Sequence, residues 1–188
     1  MMRSQLKPRY ANAALGNLGA FATSRDGNWL ALGMRRGVLV VNLTSRQEEK
    51  WLPLDGTQTV FVGFSSDSRR LVIASGSGKV RCLQVPTFEE EGGFALAVGV
   101  HTFAIDGDGT RLVAVEKGGL RLPSAIRILQ LPSGVQLARW TAHQAAIIDV
   151  SFVDNGSLMA TCAHDGTVKL WRVSGLKSGK QAKKGEGR

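Results

Sequence analysis

Met159-Ala160-Thr161-Cys162-Ala163-His164-Asp165-Gly166-Thr167-Val168-Lys169-Leu170-Trp171 is two short runs of small and apolar residues joined at an Asp-Gly turn. A third run, residues 147–152, precedes it and is set off by Asp154-Asn155-Gly156. Asp-Gly and Asn-Gly permit the positive φ that tight hairpins between twisted strands demand. The stretch therefore reads as three antiparallel strands in a row. The same arrangement recurs upstream. Asp26-Gly27, Asp67-Ser68, Asp108-Gly109 and Asn155-Gly156 stand 41, 41 and 47 residues apart, each between an aromatic-containing apolar run and a second apolar run. One insertion, Lys117-Gly118-Gly119-Leu120-Arg121-Leu122-Pro123-Ser124-Ala125, accounts for the longer interval.

Aligned on that turn, the chain shows one strand pattern four times. First strands are expected at 20–23, 59–64, 100–105 and 147–152, and second strands at 29–33, 71–75, 111–116 and 157–162. Third strands are expected at 38–43, 79–85, 126–131 and 167–173, with a looser fourth strand at 50–54, 94–98 and 135–140 in three units only. No window of useful length has helical spacing. Repetition every ~40–45 residues, with several short strands per repeat, is the signature of propeller blades. Such a unit cannot bury its own faces and must stack on its neighbours. The predicted fold is all-β, with antiparallel four-stranded blades in units of about 19–54, 55–98, 99–141 and 142–173. The last unit stops after its third strand. Residues 1–18 form an N-terminal segment in which residues 5–10 are a candidate for the missing outer strand. Residues 174–188, with only Leu176 and Ala182 apolar, are expected to be a disordered basic tail.

Net charge narrows the functional classes. Of the formal +9, the last fifteen residues carry +4 and the first ten +3, which leaves the repeats nearly neutral at +2. The basic tail residues are Lys177, Lys180, Lys183, Lys184 and Arg188. Asn12, Gly16, Asn17 and Gly19 interrupt any apolar core of an export signal. No run approaches the ~18 apolar residues of a membrane helix. Cys82 and Cys162 have no partner at metal-ligand spacing and read as small hydrophobes of a reduced cytoplasm. A cytoplasmic protein without membrane attachment is expected.

The last unit, from Ala142-His143 through Trp171, resembles a WD40 repeat. Its family pattern is Gly-His, an apolar strand, Pro-Asp-Gly, Leu-Ala-Ser-Gly-Ser-x-Asp-x-Thr and an apolar strand ending in Trp-Asp. The match needs no gap, and it departs at Ala142 for Gly and Arg172 for Asp. The other three units resemble the family by strand pattern, turn and period only. The resemblance implies a structural tetrad of His143, Thr161, Asp165 and Trp171, in which a hydroxyl and an imidazole satisfy the carboxylate and the indole N–H caps the far end. It also implies a protein-interaction scaffold.

Other readings of these residues were weighed on chemistry. His143 and Asp165 could be a catalytic pair, but tetrad duty explains both. His101 and His164 lack a third metal partner. Asp106 and Asp108 could begin a calcium loop, but the turn is too short and has no distal Glu. Glu89-Glu90-Glu91 reads as a solvated loop. Gly76-Ser77-Gly78-Lys79 lies between strands rather than before a helix, unlike a phosphate loop. The second-to-third loops emerge on one face and carry Arg35, Arg36, Lys79, Lys117 and Arg121, with Leu120 as an apolar contact. They form a candidate partner-binding face, against which stands the simpler reading of scattered surface charge.

The residues lead to the expectation of a non-catalytic scaffold with no metal or cofactor, set in a larger propeller or multi-protein assembly. The family has seven or eight blades as a rule. Four units are expected to be the C-terminal part of a longer propeller, which the doubled Met1-Met2 start would fit, or to pair with a second copy as a homodimer. A tight four-blade ring is least favoured. The alternative function is weak, non-specific phosphate binding to nucleic acid through the Lys-rich tail. A propeller hydrolase or lactonase ranks third, with only His101 and Asp149 as candidates on the first strands.

Overall fold

A computed structural model describes residues 18–96, 99–116 and 122–176. The first sheet runs β1 (Leu18–Thr23), β2 (Trp29–Met34), β3 (Gly37–Asn42) and β4 (Gln47–Pro53). The second runs β5 (Thr59–Phe64), β6 (Arg70–Ser75), β7 (Lys79–Gln84) and β8 (Glu90–Ala95). The third runs β9 (Val100–Ile105), β10 (Arg111–Glu116), β11 (Ser124–Gln130) and β12 (Gln136–His143). The fourth has β13 (Ile147–Val153), β14 (Leu158–Ala163) and β15 (Val168–Arg172), and no fourth strand among the described residues. Every sheet is an antiparallel meander in sequence order. Among the described residues, no helix is long and apolar enough to cross a membrane.

The sheets stack in chain order, with the first strands side by side: β1 against β5, β5 against β9, β9 against β13. Three apolar clusters fill the gaps. Val38, Val40, Val62, Leu71 and Ile73 lie between the first and second sheets. Val80, Cys82, Phe103 and Leu112 lie between the second and third. Ile126, Ile128, Val150, Met159 and Trp171 lie between the third and fourth. A middle sheet is thus apolar on both faces, which explains strands without a polar side such as Leu71-Val72-Ile73-Ala74. No comparable packing joins β13 back to β1 among the described residues. The molecule is a four-bladed arc of β-propeller.

The hairpins hold as the turn chemistry requires. Gly27 and Gly109 take φ of 74° and 69°, and Ser68 takes 58° at the same place in the second unit. Gly109 is also needed for space, because a Cβ there would lie 2.6 Å from Cβ of Ser65 in the neighbouring sheet.

Three local expectations are corrected. The outer strand of the second unit is Glu90–Ala95, not residues 94–98, and it takes in Glu90 and Glu91 of the acidic run, while Glu89 stays exposed in the loop before it. Arg81 pairs with Glu90 at 2.9 Å and Arg70 with Glu91 at 2.7 Å. Gly93 sits in that strand where a neighbour leaves no room, since a Cβ there would meet the Val80 carbonyl at 2.5 Å. The outer strand of the first unit starts at Gln47 instead of Lys50. The turn at Asp154–Gly156 is a single 3-10 turn.

Candidate functional site

The antiparallel meander sends the first-to-second turns of the sheets, and the third-to-fourth turns of the first three, to one end and the second-to-third turns to the other. Polar side chains gather where these turns meet the gap between the third and fourth sheets. His143 is the last residue of β12, in the third sheet, while Thr161 and Trp171 stand on β14 and β15 of the fourth. The Trp171 indole can only donate, and its Nε1 does so to Thr161 Oγ1 at 2.9 Å. Thr161 in turn lies 2.7 Å from His143 Nε2. With the Thr161 proton on that bond, His143 carries its hydrogen on Nδ1 and donates to Asp165 Oδ2 at 2.9 Å. Asp165 also accepts the Thr167 hydroxyl at 2.6 Å and the Thr167 and Gln144 backbone N–H groups. The Thr167 hydroxyl, followed by His143, holds the Asp165 carboxyl well below the usual carboxylate range. The network therefore crosses from one sheet to the next. Trp140 packs against Trp171 with ring centroids 5.4 Å apart and planes tilted by 58°, and Lys169 Nζ donates to the Ala142 carbonyl at 2.8 Å.

This arrangement leaves little for catalysis. His143 is 0% exposed and both ring nitrogens are engaged. Asp165 lies on the rim, with 18% of its side chain exposed. His101 is exposed, and its Nε2 donates to the Ile147 carbonyl at 3.0 Å. Asp149 accepts the N–H of Val150 at 2.8 Å. No three His, Cys, Asp or Glu side chains gather as a metal would need, among the described residues. The Asp106 and Asp108 carboxylates are taken by donors of their own hairpin, Arg111 and Thr110.

A second polar cluster went unread in the sequence. Asp106, 1% exposed, forms an ion pair with Arg111 at 2.6 Å. Burial pushes the Asp106 carboxyl up, and the hydrogen bonds from Arg111 only partly oppose this. Arg111 then reaches across the gap and donates to the carbonyls of Gly156 and Val173 in the fourth unit. Arg70 stands at the same register in β6 and donates to the carbonyl of Gly109 in the third sheet. Two arginines thus clip successive sheets at one end of the arc. The signal was present: Arg70 and Arg111 each fall three residues after the turn aspartate, 41 residues apart. A cleft of about 590 Å³ lies beside the second clip, walled by Asp108, Arg111, Gln130, Leu137, Ser157 and Leu176.

The candidate partner face is at the opposite end. Arg35 and Arg36 are exposed there on the β2–β3 turn, and Lys79 at the start of β7. Asp55 sits on the same end; it accepts from Ser77 Oγ at 2.7 Å and interacts with Lys79. Lys117, Leu120 and Arg121 lie outside the described residues, as do residues 5–10 and the tail cations Lys177, Lys180, Lys183, Lys184 and Arg188.

The WD domain, G-beta repeat family matches residues 134–172, the span that contains β12 and the polar network. A WD repeat-containing protein SL1-17 from Schistosoma mansoni is 30% identical over 138 residues, 72% of this chain and 44% of that protein. Among solved structures, the beta-propeller domain of Cps50 (Swd1) from Myceliophteria thermophila superposes with a TM-score of 0.72 at 14% identity. That match covers 85% of this chain and 55% of the other. The chain spans about half the length of the relatives it matches. Sheet architecture, interval and the repeat match agree: residues 134–172 are a WD40 repeat, and the chain is a β-propeller of WD40 type.

Proposed function

We propose that the chain is a protein-interaction scaffold without catalytic activity, set in a larger propeller or multi-protein assembly of the cytoplasm. The observation that carries this reading is the row of exposed cations, Arg35, Arg36 and Lys79, held by a rigid stack of sheets at one end of the arc. A stack of repeats offers an extended surface whose loops are fixed relative to one another. Lys117, Leu120 and Arg121 extend that face in the proposal. The tetrad His143, Thr161, Asp165 and Trp171 acts as structure, since its polar atoms are spent on one another. Two unpaired cysteines fit a reducing compartment. The proposed division remains a leading segment 1–18, four repeats over 19–173 and a basic tail 174–188.

Replacing Arg35, Arg36, Lys117 and Arg121 by Glu, then comparing captured proteins with those of the wild type, tests the face. Loss of a defined partner is expected, and unchanged recovery would sink the reading. The concentration of +4 in the last fifteen residues supports a second reading, non-specific association with nucleic acid. That reading requires binding to an arbitrary duplex that weakens steeply with salt and vanishes when residues 177–188 are removed. The exposed apolar faces at the ends of the arc call for a neighbour, either a second copy or further blades.

A further inference from the structure

The three gaps inside the chain are built to one plan. Two residues of the third strand of one sheet pack on the first strand of the next: Val38 and Val40 with Val62, Val80 and Cys82 with Phe103, Ile126 and Ile128 with Val150. The third-strand residues are all 0% exposed, and Val62, Phe103 and Val150 are 5%, 6% and 5% exposed. Strand register identifies the equivalent positions at the ends. Gly33 pairs with Val38, Ala74 with Val80 and Val115 with Ile126, as Cys162 does with Val168, which makes Val168 and Leu170 the fourth third-strand pair. They are 72% and 65% exposed. Val62, Phe103 and Val150 face Ile73, Ala114 and Thr161 as Phe21 faces Leu32, and Phe21 is 68% exposed. One end of the arc thus offers an unfilled socket and the other an unseated plug.

We infer that the exposed face of the fourth sheet receives the first sheet of a second copy of this chain. Phe21 packs on Val168 and Leu170, and two copies close head to tail into an eight-bladed ring. The contact continues the interface already repeated inside the chain, with the same strands in the same roles. A two-fold axis makes both inter-chain contacts identical, so that neither face is left bare. Eight blades lie within the range of propeller rings. The inference rests on the reading of the chain as part of a larger assembly and is independent of the cationic loop face.

Purified full-length chain tests it by light scattering, with alkylation of Cys162 as a second readout. Cys162 lies on the fourth sheet's open face, where its counterparts Ala74 and Val115 are fully buried. The expected result is a species of twice the 20.1 kDa chain mass in which Cys162 reacts roughly tenfold or more slowly than in a monomer. Leu170→Arg and Phe21→Arg should each give a folded monomer that melts as the wild type does once diluted to monomer, since both side chains are exposed within one copy. A mixture of the two variants should regain association through its one intact contact. A wild-type monomer, a dimer indifferent to Phe21→Arg, or open chains longer than a dimer each overturn the inference. The wider assembly reading falls only if a wild-type monomer is also stable, with Cys162 alkylated as fast as a free thiol, because such a face needs no cover.

Discussion

Thr161 ties two buried polar partners together through one small side chain. Its hydroxyl accepts from Trp171 and serves His143, and both partners are buried or nearly so. Thr161→Val keeps the shape and removes both bonds, which strands two polar groups. Each unmet buried group costs about 1–3 kcal/mol, so a loss of about 2–4 kcal/mol is expected in urea unfolding. Thr161→Ser keeps the hydroxyl and gives up one methyl, for a cost of about 1 kcal/mol. Equal losses from the two variants would mean that the methyl, rather than the hydroxyl, carries the site. Asp165 was expected as a buried carboxylate, and its partial exposure on the rim is the difference made by the turn that holds it.

At the scale of elements, the strands that the sequence disclosed are those with a turn aspartate or asparagine before them and apolar side chains along them. The outer strands were placed less well because they are polar and lack the apolar run that marks the inner strands. Glu90 and Glu91 look solvated until Arg81 and Arg70 are set across from them by the fold. The network residues of the last unit were legible because that unit keeps the family pattern. Asp106 and Arg111 were not, because the first two units place serines where the third has Asp106: Ser24 and Ser65 each accept the N–H five residues on, as Asp106 does. This substitution yields a prediction. Arg111→Leu alone leaves a buried carboxylate unpaired and should cost about 3–5 kcal/mol. Adding Asp106→Ser supplies the serine that the first two units carry at this place and should recover most of that loss, though the Gly156 and Val173 carbonyls still lack their donor. A double variant no more stable than Arg111→Leu would assign the cost to the inter-sheet bonds instead of the stranded charge.

The third sheet has its own pH dependence. Glu116, on β10, accepts from Arg139 on β12 and Arg127 on β11, which hold its carboxyl down at about 2 against an ordinary 4.5. A depressed carboxyl stabilises the fold fully above its unfolded value, and that stability is lost as pH falls from 4.5 towards about 2. Asp165 adds a loss of the same sign, while the raised carboxyl of Asp106 works in the opposite direction. Glu116→Gln should therefore flatten the acid limb of the stability curve, measured by urea unfolding across this interval. A limb of unchanged slope would show that the two arginines do not favour the ionised form.

In the whole molecule, a sheet's stability is the sum of its own pairing and the faces its neighbours cover. The second and third sheets are covered on both faces, and the fourth only on the face that meets the third. Arg111 and the His143 network strengthen that one gap and do nothing for the other side, where Val168 and Leu170 face solvent within one copy. Local opening should therefore begin in β14 and β15. Hydrogen exchange of dilute protein should release the amides of β14 before those of β6 and β10, the equivalent strands of the covered sheets. If a second copy supplies the missing cover, raising the protein concentration closes that gap, because the opening must then break the contact between chains. A fourth sheet protected as well as the second at every concentration would make all four sheets one cooperative unit, and the bare face would no longer argue for any neighbour.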